Sequence, residues 1–322
     1  ELLQAWEMIG RINPWVLLLF IPLSLVSYLA SGEMIFSYLR QKKMTQHINP
    51  VTLMRVSLEL NFVNHVLPSG GVSGISYMNW RLGKFGITSG KATMAQAVRY
   101  AVGFAAVTAL LAIAVLLVTI DGNINRWIVL MSSTIVFIMV FSTTAVVYLI
   151  SSPTRTRRFA DGLARRVNGF VQRITAGRVG KVVDSSKIKK YFDEMHEDYV
   201  ELSHDKKLLI KPFLWGLLYT VAEVALFYIT FLALGTTVNP APILIAYGIA
   251  SVAGFIVVTP GGTGAYETIM VIIIAMAGLS QSQAIAGIIL SRAMILVVTI
   301  GLGYVFYQLA LMKYGKRPNP AA

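Results

Sequence analysis

Two arginines, Arg99 and Arg292, lie inside long apolar runs, and each follows a break of proline and glycine by about thirty residues. A guanidinium at hydrocarbon depth is costly unless paired or solvated, so an arginine there marks a pathway or an internal pairing. Its planar fork donates two parallel hydrogen bonds, which suits phosphate. Arg55, Glu59, Asn61, Asn64 and His65 crowd one short helix, and Tyr266 and Glu267 open another. Together with Tyr77, Asn79 and Tyr100, these side chains could line a cavity for a phosphate-bearing anion, with His65, Glu59 or Glu267 able to relay protons. Structural accounts stand beside these. Arg55 and Glu59 are four apart and can neutralise each other, while Arg99 can pair with Glu267 or Glu223. Glu267 can cap its own first turn, and Asn61, Asn64 and His65 can satisfy broken backbone.

The elements that must position these residues are two interrupted helices. Leu67-Pro-Ser-Gly-Gly-Val-Ser-Gly74 and Thr259-Pro-Gly-Gly-Thr-Gly-Ala-Tyr-Glu267 each end one apolar run and start another. Proline lacks the amide that continues a helix, and glycine takes backbone angles closed to other residues. Pro68, Gly70, Gly71, Pro260, Gly261, Gly262 and Gly264 are therefore the expected hinges. Such a turn is tolerated at membrane depth only where protein or water satisfies it. The helix starts near Val72 and Thr263 present amides and a partial positive charge to an anion.

The chain of 322 residues is 56% hydrophobic, with a mean hydropathy of +0.66. Several runs reach the roughly 20 residues that cross a bilayer, so the fold class is an all-α polytopic membrane protein. The absence of cysteine excludes disulfides and thiolate metal sites. His47, His65, His196 and His204 form no ligand pair at helical spacing, so no metal or cofactor is expected. No Gly-x-Ser-x-Gly elbow, Walker lysine or aspartate pair is present, which points away from an enzyme. The net charge of +13 fits basic loops against anionic lipid better than nucleic acid.

Along the chain, residues 1–12 read as an interfacial helix with Leu2, Trp6 and Ile9 on one face, and Asn13 caps a helix that has Pro14 in its first turn. Residues 15–30 form a first span, running inward to Arg40, Lys42 and Lys43. Residues 50–84 have basic flanks and read as a re-entrant hairpin from the cytoplasm. Residues 91–120 go outward and 127–150 return. From 151 to 190 there are eleven Lys or Arg and two acids, which places this loop in the cytoplasm. Phe159, Leu163, Val167, Phe170 and Ile174 recur there at helical spacing, as on a helix lying on an anionic lipid surface. A second helix, 188–202, has an acidic side (Glu194, Glu197, Asp198, Glu201) that either pairs with the first or is solvated. Residues 211–234 go outward, 241–277 form a second hairpin from outside, and 283–312 run inward to Lys313, Lys316 and Arg317. The division is 1–150, 151–207 and 208–322. Its outer parts form an inverted-topology repeat in the plasma (inner) membrane, with the 151–207 loop and the C-terminus cytoplasmic.

Leu67-Pro-Ser-Gly-Gly, Pro260-Gly-Gly-Thr-Gly-Ala-Tyr-Glu267 and the opening Glu1-Leu-Leu-Gln-Ala before Asn13-Pro14-Trp15 resemble the lysylphosphatidylglycerol synthase transmembrane family, related to the flippase domain of the multiple peptide resistance factor. The likeness spans nearly the whole chain, and the second glycine motif is its specific part. It implies one more helix before Glu1, which would partner residues 127–150 in a four-plus-four repeat. It also implies lipid handling, since the best-known relative moves aminoacylated phosphatidylglycerol between leaflets. Only a short tail follows Met312, so lipid synthesis is not expected. The expected function is a flippase for a phosphate-bearing lipid, of phospholipid or polyprenyl-phosphate type, working by alternating access with membrane lipids as partners; a homodimer is allowed. The alternatives are a proton- or ion-coupled carrier of a soluble anion and a membrane partner of a glycosyltransferase.

Overall fold

The computed structural model describes residues 2–10, 12–67, 72–120, 126–174, 185–256 and 264–315. Pro68, Gly70, Gly71, Pro260, Gly261 and Gly262 lie outside these. Among the described residues the regular structure is entirely helical.

A short helix α1 (Leu2–Ile9) precedes α2 (Pro14–Leu18) and α3 (Phe20–Gln41). Asn13 caps as its sequence predicts, accepting from the amides of Trp15 at 3.0 Å and Val16 at 3.4 Å, with Pro14 in the first turn. The run bends at Leu19 because Pro22 has no N–H to offer the Leu18 carbonyl. It then continues well past the expected end at residue 30. No proline stands between Ala30 and Lys43, whose φ of 59° closes the element.

A second Asn-Pro pair opens α4 (Pro50–Val66), with the Asn49 side chain accepting from Val51 N at 2.8 Å. There follow α5 (Val72–Gly83), α6 (Ser89–Ile120), α7 (Arg126–Ile150), α8 (Pro153–Ile174) and α9 (Ser185–His204). A 3-10 turn, Lys206–Leu209, leads into α10 (Ile210–Ala233), α11 (Pro240–Ile256), α12 (Ala265–Met276) and α13 (Gln281–Thr299). A π-helical segment, Ile300–Tyr304, joins α13 to α14 (Val305–Tyr314).

Among the described residues, five helical stretches are long and apolar enough to cross a membrane: Pro14–Gln41, Ser89–Leu116, Ser132–Ile150, Lys206–Ala233 and Gln281–Tyr314. The protein is therefore a multi-pass membrane protein. α10 lies at the centre, packed along α3 and α6 and against α13. Small residues permit these approaches: a side chain on Gly287 would collide with the Phe231 ring of α10, and one on Gly32 would collide with Ser57 of α4. One apolar cluster joins Phe227, Phe231, Ile245, Met270 and Ile288 of α10 to α13. Another joins Ile35, Leu60, Met78 and Val98 of α3 to α6.

The acidic side of α9 turns mainly toward the bundle, not toward α8. Asp198 accepts from Tyr38 Oη at 3.0 Å and from Lys42, and Lys42 Nζ also meets Glu201 at 2.8 Å. Glu194 accepts the Gly90 amide at 3.1 Å, satisfying a free N–H at the start of α6. Burial beside Thr93 and Asn79 pushes the Tyr191 phenol above its ordinary value. Toward α8, Asp193 pairs with the exposed Arg157 at 3.1 Å, beside an edge contact of the Phe159 and Phe192 rings.

Candidate functional site

The polar residues around mid-span come from seven helices, α3, α4, α6 and α10 to α13. Arg99 lies about 15 Å along α6, Glu223 about 20 Å along α10 and Arg292 about 16 Å along α13, at 1.5 Å per residue. α3 supplies Ser27, Tyr28 and Ser31 on one face, at helical spacing. Ser31 Oγ accepts from Arg99 Nη2 at 2.9 Å, and Ser27 Oγ donates to Glu223. The same two turns of α3 thus hold one guanidinium and one carboxylate.

Arg99 is only 9% exposed. Its guanidinium lies 5.4 Å from the Tyr100 ring centre. Among the described residues its Nη1 has no hydrogen-bond partner and no carboxylate stands within ion-pair distance. A buried guanidinium in that condition is stabilised by an anion. The pairing of Arg99 with Glu267 or Glu223 that its sequence allows does not form.

Arg292 does pair: its Nε is 2.5 Å from Glu267 Oε1, and its guanidinium stands 4.8 Å from the Tyr266 ring centre. Glu267 also reaches back to the Gly264 amide at 2.6 Å, so the cap and the ion pair expected as alternatives coexist. Gly264 itself has φ 98°, a conformation that favours glycine. The first amide of α12 is accordingly held by its own acid. The Arg292 and Glu267 side chains are 17% and 19% exposed, so the pair is reachable.

His65 joins this group, within electrostatic range of both Arg292 and Arg99. Its Nδ1 lies 2.8 Å from the Asn61 carbonyl, and Asn61 Nδ2 in turn donates to Ser57 O at 2.8 Å. Because a carbonyl only accepts, Nδ1 carries the proton. Asn61 and His65 thus use much of their polarity on α4 itself. Asn64 packs over Gly74 of α5, and its Oδ1 has no partner among the described residues.

Other expected site residues lie elsewhere. Glu59 does not neutralise Arg55. Its Oε2 accepts from Tyr77 Oη at 2.7 Å and from Arg81 Nε at 2.9 Å. Arg55 is exposed and sits 5.7 Å from the Phe306 ring centre. The helical spacing of Arg55 and Glu59 is right, but Glu59 turns inward toward α5. Asn79 exchanges hydrogen bonds with Thr93 at 2.8 and 3.1 Å, joining α5 to α6.

Of the tyrosines around Glu223, sequence reasoning singled out Tyr266 and missed Tyr28, Tyr219 and Tyr247. Tyr219, Tyr247 and Tyr266 all lie within its electrostatic range, as does Tyr28, whose hydroxyl meets Thr299. A signal was present: Tyr219 and Glu223 stand one turn apart within an apolar span, as do Ser27 and Ser31. The arrangement as a whole is an intramembrane polar cluster with two guanidiniums, two carboxylates and a phenolic wall. Chemically it can bind an anion and exchange protons.

Such a cluster inside a multi-pass helical bundle defines a membrane protein with an internal polar site. Residues 1–303 match the family described as "Lysylphosphatidylglycerol synthase TM region", and the chain belongs to it. It is also similar to two UPF0104 membrane proteins of Methanothermobacter thermautotrophicus. One is 22% identical over 204 residues, covering 63% of this chain and 56% of that protein. The other is 22% identical over 254 residues, covering 77% and 70%. The chain thus spans little more than half the length of the first relative.

Proposed function

We propose that the chain moves a phosphate-bearing lipid, of phospholipid or polyprenyl-phosphate type, between leaflets by alternating access. The headgroup phosphate binds at Arg99, with Arg292 released from Glu267 to join it. The observation that carries this reading is the Arg99 guanidinium, buried and without a carboxylate partner among the described residues. Family membership supports lipid as the substrate class. An apolar groove of about 340 Å³ between α2, α3 and α13, lined by Trp15, Leu18, Ile21 and Met294, offers a seat for an acyl chain on the outer side of the helix that carries Arg292.

In this reading α4 with α5 and α11 with α12 are re-entrant hairpins entering from opposite leaflets, and the halves on either side of the 151–207 loop form an inverted repeat. The protein resides in the plasma membrane with that loop and the C-terminus cytoplasmic. Residues 151–190 rest on anionic lipid, with Arg165 and Arg166 exposed. No reaction is catalysed. A homodimer is compatible with this arrangement.

The test is translocation of NBD-labelled phosphatidylglycerol in phosphatidylcholine vesicles holding the purified chain, read by dithionite quenching. Wild type should accelerate it. The double variant Arg99→Ala, Arg292→Ala should lose about 10- to 100-fold, the worth of a charge-assisted hydrogen bond of ~1.5–3 kcal/mol. Equal rates in both proteins would remove the arginines from the site.

A further inference from the structure

The polar cluster contains one more unmatched group. Glu267 is engaged by Arg292 and by the Gly264 amide. Glu223 has a hydrogen bond from Ser27, and no guanidinium or ammonium lies within ion-pair distance of it among the described residues. It sits well inside the Lys206–Ala233 span. A carboxylate at that depth is expensive unless a counter-ion or a proton neutralises it.

Its position relative to Arg99 is fixed by α3. Ser27 and Ser31 are one turn apart, about 6 Å along the axis, and they hold Glu223 and Arg99 respectively. Tyr219 lies within electrostatic range of both. Arg99 and Glu223 thus share one stretch of α3 and one phenol while neither bonds the other, and the cation whose charge reaches Glu223 is Arg292. The remaining groups facing Glu223 are Tyr28 from α3, Tyr247 from α11, Tyr266 from α12 and Arg292 from α13, with Glu267 and His65 nearby.

The two guanidiniums balance the two carboxylates while the site is empty. An anion held between Arg99 and Arg292 offsets the positive charge of Arg292, the cation that favours ionised Glu223, and leaves the cluster one negative charge in excess. We propose that Glu223 then takes up a proton from water, so that a monoanionic phosphodiester headgroup crosses together with one proton and the loaded site stays neutral. On release of the headgroup at the other face, the positive charge of the guanidiniums is again unopposed and Glu223 returns the proton to water. This inference rests on the headgroup reading given above and adds its energy source: an inward or outward proton gradient drives net lipid movement. Screened interaction between two charges this close is worth on the order of tenfold in proton affinity.

The coupling is measured directly on the purified full chain in weakly buffered detergent with a pH-indicating dye. Short-chain phosphatidylglycerol is the probe, and inorganic phosphate is a second arm. Wild type should take up close to one proton per bound phosphatidylglycerol. Glu223→Gln should take up none, while Glu223→Asp should restore part of the uptake. In vesicles, a pH gradient should shift the leaflet distribution of NBD-phosphatidylglycerol for wild type and not for Glu223→Gln, a readout that a merely structural Ser27–Glu223 contact would not move. Phosphatidylglycerol binding without proton uptake, or uptake that survives in Glu223→Gln and vanishes in His65→Gln, overturns the proton role of Glu223 and leaves the lipid reading standing. Proton uptake with inorganic phosphate alone supports Glu223 and overturns the lipid substrate. Binding of neither probe overturns both.

Discussion

The two helix pairs, α4 with α5 and α11 with α12, each contain one acid, and they use it in opposite ways. In the first, Glu59 is satisfied within the pair by Tyr77 and Arg81, with the Glu59 and Arg81 side chains only 3% and 4% exposed. The Arg81 guanidinium is further closed in by the rings of Phe85 at 4.8 Å and Tyr314 at 4.5 Å. In the second, Glu267 divides itself between its own helix start and Arg292 on the next helix, and both partners are partly exposed. In the first pair the carboxylate is satisfied from inside the pair, although Arg81 Nη1 and Asn64 Oδ1 have no hydrogen-bond partner among the described residues. The second is joined to its neighbour by an ion pair that stays partly exposed, and in the proposed reading an incoming anion replaces Glu267 there.

The sharpest way to break this contrast is Arg81→Ala. Removing one member of a buried ion pair leaves the other charge unpaired, and about 3–5 kcal/mol of stability should be lost, seen as a lower melting temperature in detergent. Replacing both members with apolar residues of similar volume should recover most of it, because the cost lies in the orphaned charge. A mild effect of Arg81→Ala would show that water reaches Glu59, and the two pairs would be alike.

Glu267→Gln is the corresponding change in the second pair. It should cost only about 1 kcal/mol, since the pair is partly solvated and glutamine can still accept from Gly264. Headgroup binding should become a few-fold tighter, roughly 1 kcal/mol, because Arg292 loses its internal competitor. Weaker binding, measured with labelled phosphatidylglycerol, would make Glu267 part of the anion site and not its rival. The smallest effect belongs to Arg55→Ala. Exposed and resting on Phe306, Arg55 contributes about 0.5 kcal/mol as an exposed cation over a ring, and its loss should leave translocation unchanged.

Much of the fold was legible because its signals are local. Asn13-Pro14 and Asn49-Pro50 announce helix starts, and apolar runs announce spans whatever surrounds them. Arg99 and Arg292 could be singled out for the same reason: a charge in an apolar run needs no partner in view to be conspicuous. What sequence left open was the rotation of each helix about its axis, which is set by packing against distant elements. Local spacing favoured Arg55 with Glu59, yet Tyr77 and Arg81 take Glu59 from across the pair. The acids of α9 likewise meet Lys42 and Gly90, more than a hundred residues away along the chain. Ser27 and Ser31 look like ordinary small residues in a span. Only their contacts with α10 and α6 show that they separate Glu223 from Arg99.

The π-helical turn at Ile300–Tyr304 carries a consequence for the last span. A π turn accommodates one residue more than an α turn, so everything after it is rotated relative to an unbroken helix. Upstream, the phase is set by Ser291 and Arg292 facing α10 and α12; downstream, it is set by Tyr307, whose ring lies 5.2 Å from Phe62 and 5.6 Å from Tyr77. The surplus residue acts as a gearing between the half of the span that carries Arg292 and the half that packs on the first helix pair, and winding it out would turn one half against the other without lengthening a single bond.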